Sequence, residues 1–162
     1  MWLPIGLITG AFFASRAGMR TGRVAPYDVL AKMQTPKLLR SGKGKERCIE
    51  SLANGLAGVN VEYLLENPNT PSLYSSGIRY CDDGRSRYDE WCDIPTVLSN
   101  GCGDCDDLVP WRLAELWRQG VSNAEAHAIE QRLPNGDTLF HLLIRFNGSN
   151  QTEDPSQLLG MQ

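Results

Sequence analysis

Gly103-Asp104-Cys105-Asp106-Asp107-Leu108-Val109-Pro110-Trp111-Arg112-Leu113-Ala114-Glu115-Leu116-Trp117-Arg118-Gln119-Gly120 is the stretch on which the fold turns. Leu108, Val109, Leu113, Leu116 and Trp117 share one face at helical spacing, which predicts a helix over about residues 107–119 with Gly120 as its stop. Cys105 then stands where that helix begins. A thiol is a useful nucleophile only as thiolate, and the positive end of a helix together with a nearby imidazole favours the charged form. Pro110, five residues after the thiol, removes one helical hydrogen bond, so the spacing puts the first turn nearer Asp107.

Downstream, Ala124 to Leu133 and Thr138 to Phe146 read as two strands joined by Pro134-Asn135-Gly136-Asp137, since Asn-Gly between apolar runs marks a hairpin. After the turn Asn147-Gly148-Ser149-Asn150, a third short strand is expected to carry Thr152-Glu153-Asp154. His141 lies mid-strand between Phe140 and Leu142. Antiparallel pairing brings a residue on the next strand alongside it, and a carboxylate there fixes the tautomer of the ring. Asp154 is placed for that. The plain alternative for His141 is a hydrogen-bonded core histidine, and it is also the reading for His127, the only other histidine.

The run Asp89-Glu90-Trp91-Cys92-Asp93-Ile94-Pro95-Thr96-Val97-Leu98-Ser99-Asn100-Gly101-Cys102-Gly103-Asp104-Cys105-Asp106-Asp107 resembles the bacterial transglutaminase-like cysteine proteinases, whose pattern is a Trp, a Pro a few residues on, then Gly-Asp-Cys-Glu-Asp. Gly120-Val121 matches the turn that ends the cysteine helix, Phe140-His141-Leu142-Leu143-Ile144 the histidine strand, and Glu153-Asp154-Pro155 the place of the aspartate. The resemblance covers about residues 88–160. It implies an α+β fold with a papain-like/transglutaminase-like core, the cysteine helix packed on a small antiparallel sheet. It implies a cysteine hydrolase acting on a protein or peptide substrate, with Cys105 as nucleophile, His141 as base and Asp154 orienting the base. The product is then a cleaved peptide or, if an amine intercepts the thioester, a crosslink. No cofactor is required. In some members acidic residues flanking the nucleophile bind calcium, and the matching positions are Asp104 and Asp106. Thr96 departs from the pattern, which usually has Glu after the Pro.

Upstream, Glu46 to Leu56 reads as a short helix, and Val61 to Glu66 continues the apolar pattern until Asn67-Pro68-Asn69-Thr70-Pro71 breaks it. Ser72 to Tyr80 is expected to be a strand or an ordered loop. Ser41-Gly42-Lys43-Gly44-Lys45 reads as a flexible linker, which divides the chain into an apolar and basic arm, 1–45, and a domain, 46–162. The arm is expected to contribute little to the domain's core and to contact a partner instead.

With 162 residues, 41% hydrophobic and 22% charged, the chain has room for one cored globular domain, which argues against disorder and multi-span membrane architectures. Its net charge of -3 hides a segregation: residues 1–47 hold nine Lys or Arg against two acids, and residues 48–162 seven against seventeen. Such an arm suits an acidic partner face, nucleic acid or an anionic membrane surface, or it touches the domain's own acidic face. The apolar start, residues 2–14, is too short for a transmembrane span, and whether residues 1–17 are a signal, an anchor or a partner-binding segment stays open.

The layout also looks like small proteins encoded among the structural genes of tailed bacteriophages, which end in Glu-Asp-Pro-Ser and Leu-Gly-Met, as Glu153-Asp154-Pro155-Ser156-Gln157-Leu158-Leu159-Gly160-Met161 does here. That likeness implies a virion component whose arm attaches to neighbouring subunits. It also supports a second class of function, a structural or assembly protein that keeps the fold with little or no catalysis. A third comes from Cys102-Gly103-Asp104-Cys105, the spacing of a thiol-disulfide oxidoreductase, with Cys102 attacking and Cys105 resolving. Five cysteines leave at least one thiol unpaired; a Cys81–Cys92 bridge is open, and a single close pair is too little for structural zinc.

Overall fold

In the computed structural model, the residues described are 30–33, 42–82, 89–132 and 138–162. The fold is α+β. Strand β1 (Leu30–Met33) is followed by helix α1 (Gly42–Glu66), a 3-10 turn (Leu73–Ser75), strands β2 (Arg79–Tyr80) and β3 (Asp89–Cys92), and helix α2 (Ile94–Asn100). Then come β4 (Cys102–Gly103), helix α3 (Cys105–Arg118), β5 (Ala124–Arg132), β6 (Thr138–Phe146), β7 (Thr152–Glu153) and α4 (Pro155–Leu158).

Helix α3 organises the interior because both of its sides are covered. Val109, Leu113 and Leu116 pack with Ala53, Leu56 and Ala57 of α1 and with Ala124, Ala126, Ala128, Leu142 and Ile144 of the sheet. Leu108, Trp111 and Ala114 pack the other way, against Leu64, Leu73, Ile78, Cys92, Ile94 and Val97. A helix apolar nearly all round belongs at the centre of a domain. It begins at Cys105, two residues earlier than the spacing predicts, and contains Pro110. The proline's lost amide is outweighed by burial, since Pro110 is almost wholly enclosed.

Helix α1 corrects the reading of a Gly-Lys linker and two helical pieces: it is one element of 25 residues whose first turn includes Gly42–Lys45. Its buried positions Ala53, Leu56, Ala57, Asn60 and Leu64 keep one helical stripe across the Asn54-Gly55 and Gly58 positions that look like interruptions. Burial of that stripe outweighs the roughly 1 kcal/mol that each interior glycine costs. The boundary at 45/46 therefore falls inside the helix, and Leu30–Met33 of the arm pairs antiparallel with β3, Leu30 opposite Cys92. Gly55 is exposed, and a methyl group there meets nothing within 4 Å. Gly55→Ala is thus expected to raise stability by about 0.5–1 kcal/mol in urea unfolding.

The sheet β5-β6-β7 is antiparallel, in register from Ala124↔Phe146 to Arg132↔Thr138 and from Ile144↔Glu153 to Arg145↔Thr152. The hairpin tip at Pro134–Asp137 lies outside the described residues. The outer edge of β5 is covered by α1: Asn54 accepts from the Ala126 amide at 3.1 Å, and Glu50 accepts from the Ala128 amide at 3.1 Å. Unpaired strand amides are thereby satisfied, which blunts an edge that would otherwise pair with another chain. Glu50 also bonds His127 Nδ1 at 3.0 Å, which gives that histidine a structural place.

Candidate functional site

The start of α3 is a self-contained device built by Gly103-Asp104-Cys105-Asp106-Asp107. Asp104 is the N-cap and accepts from the Asp106 amide at 3.2 Å, and Asp107 completes a reciprocal capping box. The second Asp107 oxygen accepts from the Cys92 amide at 2.6 Å, so the cap is also tied to β3. Gly103 is required by this fold-back: a Cβ there would lie 2.9 Å from both Cβ and Oδ2 of Asp107. Gly103→Ala is expected to cost about 1–3 kcal/mol, seen as a lowered Tm.

Held at the first position of the helix, the Cys105 thiol accepts a hydrogen bond from the amide of Leu142, the residue after His141 on β6. His141 in turn places Nε2 2.7 Å from Oδ2 of Asp154. Continuing the β6–β7 register sets Asp154 opposite Leu143, and its carboxylate reaches diagonally to His141, two residues away on the same face. Asp154 is not the end of the strand, as the sequence suggests, but the N-cap of α4: its Oδ1 accepts from the Gln157 amide at 3.2 Å. Pro155 at the first helical position enforces that turn. One carboxylate therefore caps a helix with one oxygen and holds the imidazole with the other. Helix start, histidine strand and aspartate cap converge, although among the described residues no hydrogen bond joins the sulfur to the ring itself.

The local field runs against an isolated thiolate. Burial pushes the Cys105 thiol well above its ordinary range, and Asp104 and Asp106 push it further, while the Leu142 amide alone pulls it down. The helix end favours an anion, but its own capping carboxylates oppose one. In the fold the thiol keeps its proton at a pH where the unfolded chain has lost it, so the unfolded state binds fewer protons and stability falls as pH rises above about 9. The contribution is complete below the ordinary thiol value. Cys105→Ser should remove it, so wild type is expected to lose stability relative to the variant by about 1.4 kcal/mol per pH unit in that window, read by urea unfolding between pH 8 and 11.

Tyr80 on β2 belongs to the same neighbourhood. Its phenol is pushed up to about 12, first by burial and then by its acidic neighbours, Cys105 and the carboxylates of Asp82, Asp104 and Asp106. Nothing in the sequence singles it out, because β2 is brought to the site by parallel pairing with β4, Tyr80 opposite Gly103. A disulfide between Cys81 and Cys102 locks this pair, with Cα atoms 5.6 Å apart. That bridge replaces the Cys81–Cys92 pairing left open by the sequence. Cys102 is bonded to Cys81 and not to Cys105, and Cys48, Cys92 and Cys105 take part in no disulfide among the described residues.

Trp91 is part of the core with α1 and α3, and Trp111 is buried on the other side of α3. Trp117 donates to the Ala124 carbonyl at 2.8 Å. The hollow bounded by Leu64, Pro71, Ser72, Glu115 and Arg118 lies toward the opposite end of α3 from Cys105.

Asp104, Asp106 and Asp107 each offer an oxygen within 4.8 Å of the others, close enough to meet on one cation. Asp107, however, spends its oxygens on the amides of Cys92 and Asp104, and Asp104 accepts from Asp106. Calcium takes roughly six to eight oxygens, and three carboxylates, of which Asp104 and Asp107 are already engaged in the cap, do not provide them. The trio fits a helix cap better than a calcium site.

No protein-family model, no curated protein and no solved structure matches this chain. Among the described residues no helix is long and apolar enough to cross a membrane.

Proposed function

We propose that the chain is a cysteine hydrolase of the transglutaminase-like kind, with a papain-like arrangement of Cys105, His141 and Asp154. The observation that carries this reading is the 2.7 Å contact of His141 Nε2 with Asp154, beside a helix-start thiol bonded to the next amide of the same strand. With Nε2 taken by the carboxylate, Nδ1 is the ring atom left for the thiol proton. Moving the proton from sulfur to imidazole leaves the pair neutral overall, which the buried and acidic surroundings tolerate better than a lone thiolate. The sulfur then attacks an amide carbonyl, His141 returns the proton to the departing amine, and water or a second amine resolves the thioester. Asp154 keeps the ring oriented throughout and stabilises the imidazolium. The substrate is a protein or peptide, and a bacteriophage virion is the proposed setting, with the basic arm as the attachment to other subunits.

The thiol's field favours a second reading, an assembly protein that retains the fold without catalysis. Iodoacetamide labelling, with the modified residue located by mass spectrometry, separates the two. The hydrolase is expected to label Cys105 at pH 7 at least tenfold faster in wild type than in His141→Ala. A Cys105 that labels only above pH 9, with no dependence on His141, would leave the assembly reading standing.

A further inference from the structure

Strand β7 is only two residues long and is tied to β6 through Ile144↔Glu153 and Arg145↔Thr152. So short a strand is weakly held by its backbone, yet the next residue, Asp154, must meet His141 with hydrogen-bond precision. The anchoring comes from side chains. Glu153 Oε1 accepts from Arg112 Nε at 2.6 Å and from the Tyr74 hydroxyl at 2.5 Å. Arg112 also donates to Glu115 Oε2 at 3.0 Å, and Glu115 Oε1 accepts from the Leu73 amide at 2.6 Å. The Arg112 guanidinium stands 5.1 Å from the centre of the Tyr74 ring. Arg112 and Glu153 are each about four-fifths shielded, so their pairing is screened far less than a surface ion pair.

Arg112 lies on the helix that begins at Cys105, and Glu153 immediately precedes Asp154. The linked groups span from the helix that presents the thiol to the strand that leads into the carboxylate, while His141 comes from β6, the strand paired with β7. The fork of a guanidinium can hold two carboxylates in fixed directions, which an ammonium cannot. From this geometry we infer that Arg112 and Glu153 are positioning residues, which set the Asp154–His141 contact by fixing β7 to α3, with Tyr74 as the outer support. The inference deepens the hydrolase reading, and as far as labelling is concerned it rests on it. The Asp154–His141 contact exists independently of any reaction.

Two measurements on the full chain keep those claims apart. The first is the imidazole N–H proton of His141, seen by NMR as a downfield resonance assigned by its loss in His141→Ala. Arg112→Met keeps the stem and removes the fork; it is expected to abolish or shift that resonance, and Glu153→Gln, which keeps the acceptor oxygen, to restore most of it relative to Glu153→Ala. A resonance unchanged in both Arg112→Met and Glu153→Ala overturns the inference, whatever labelling shows. The second is the pH profile of Cys105 alkylation, whose His141-dependent part is expected to fall at least tenfold in Arg112→Met with the apparent midpoint displaced. Unchanged alkylation there, with wild type still dependent on His141, also overturns it. Wild type without His141-dependent labelling sinks the hydrolase reading alone. If Arg112→Met does not fold, Tyr74→Phe, at a 40% exposed position, removes one donor to Glu153 and is expected to lower alkylation about two- to fivefold; no change in either measurement overturns the inference.

Discussion

Cys105→Ser is expected to abolish His141-dependent alkylation, whereas Cys102→Ser should retain most of it. Cys105 occupies the first position of α3, bonded to the strand that carries His141, whereas Cys102 is bonded to Cys81. In an oxidoreductase the order inverts: the upstream cysteine carries the lowered thiol pKa and the downstream one resolves. The His141 and Asp154 variants grade the effect. His141→Ala removes the proton acceptor and should cost about 10²–10⁴ in any hydrolytic turnover, the usual range for a positioned general base. Asp154→Asn keeps a helix-capping oxygen for Gln157 but offers the ring a neutral partner, so it should lose less stability than Asp154→Ala and still lose most of the His141-dependent labelling. Fast labelling that survives both Cys105→Ser and His141→Ala would leave the triad without support.

The largest expected loss of stability follows removal of the Cys81–Cys102 bridge. It closes a sequence separation of 21 residues and staples two strands of only two residues each. The chain-entropy account puts the contribution at about 3 kcal/mol, which for a domain of this size is a fall in Tm of roughly 6–12 °C. The double variant Cys81→Ser, Cys102→Ser measures it by thermal unfolding, with the reduced wild type as a second route to the same state. A fall of under 2 °C would mean that β2 and β4 are held by packing alone. Because Tyr80 and Gly103 face each other across this stapled pair, the same variants report whether the bridge also steadies the approach to Cys105.

The parts whose causes are local could be read from the chain alone. Apolar residues at helical spacing before Gly120 revealed α3, and alternating apolar runs around Asn-Gly revealed β5 and β6, whose described ends agree closely with that reading. Cys105 at a helix start and His141 at a strand centre were legible because both rest on local pattern, whereas Asp154, expected on a strand, stands instead as the N-cap of α4. The rest arises only once distant segments meet. Helix α1 runs unbroken through its glycines because α3 and the sheet reward its buried stripe, a gain that no window of sequence contains. Cys81 pairs with Cys102 because parallel strands bring their Cα atoms to 5.6 Å, and spacing carries no such distance. Asp107 is the tie between helix cap and β3, a role that exists only when Cys92 arrives from the other side. Arg112 and Glu153 are 41 residues apart in the chain, and their pairing depends on β7 packing back across α3. The field at Cys105 is likewise a property of the assembled site: the helix end alone favours a thiolate, and the burial and carboxylates gathered around it reverse the sign.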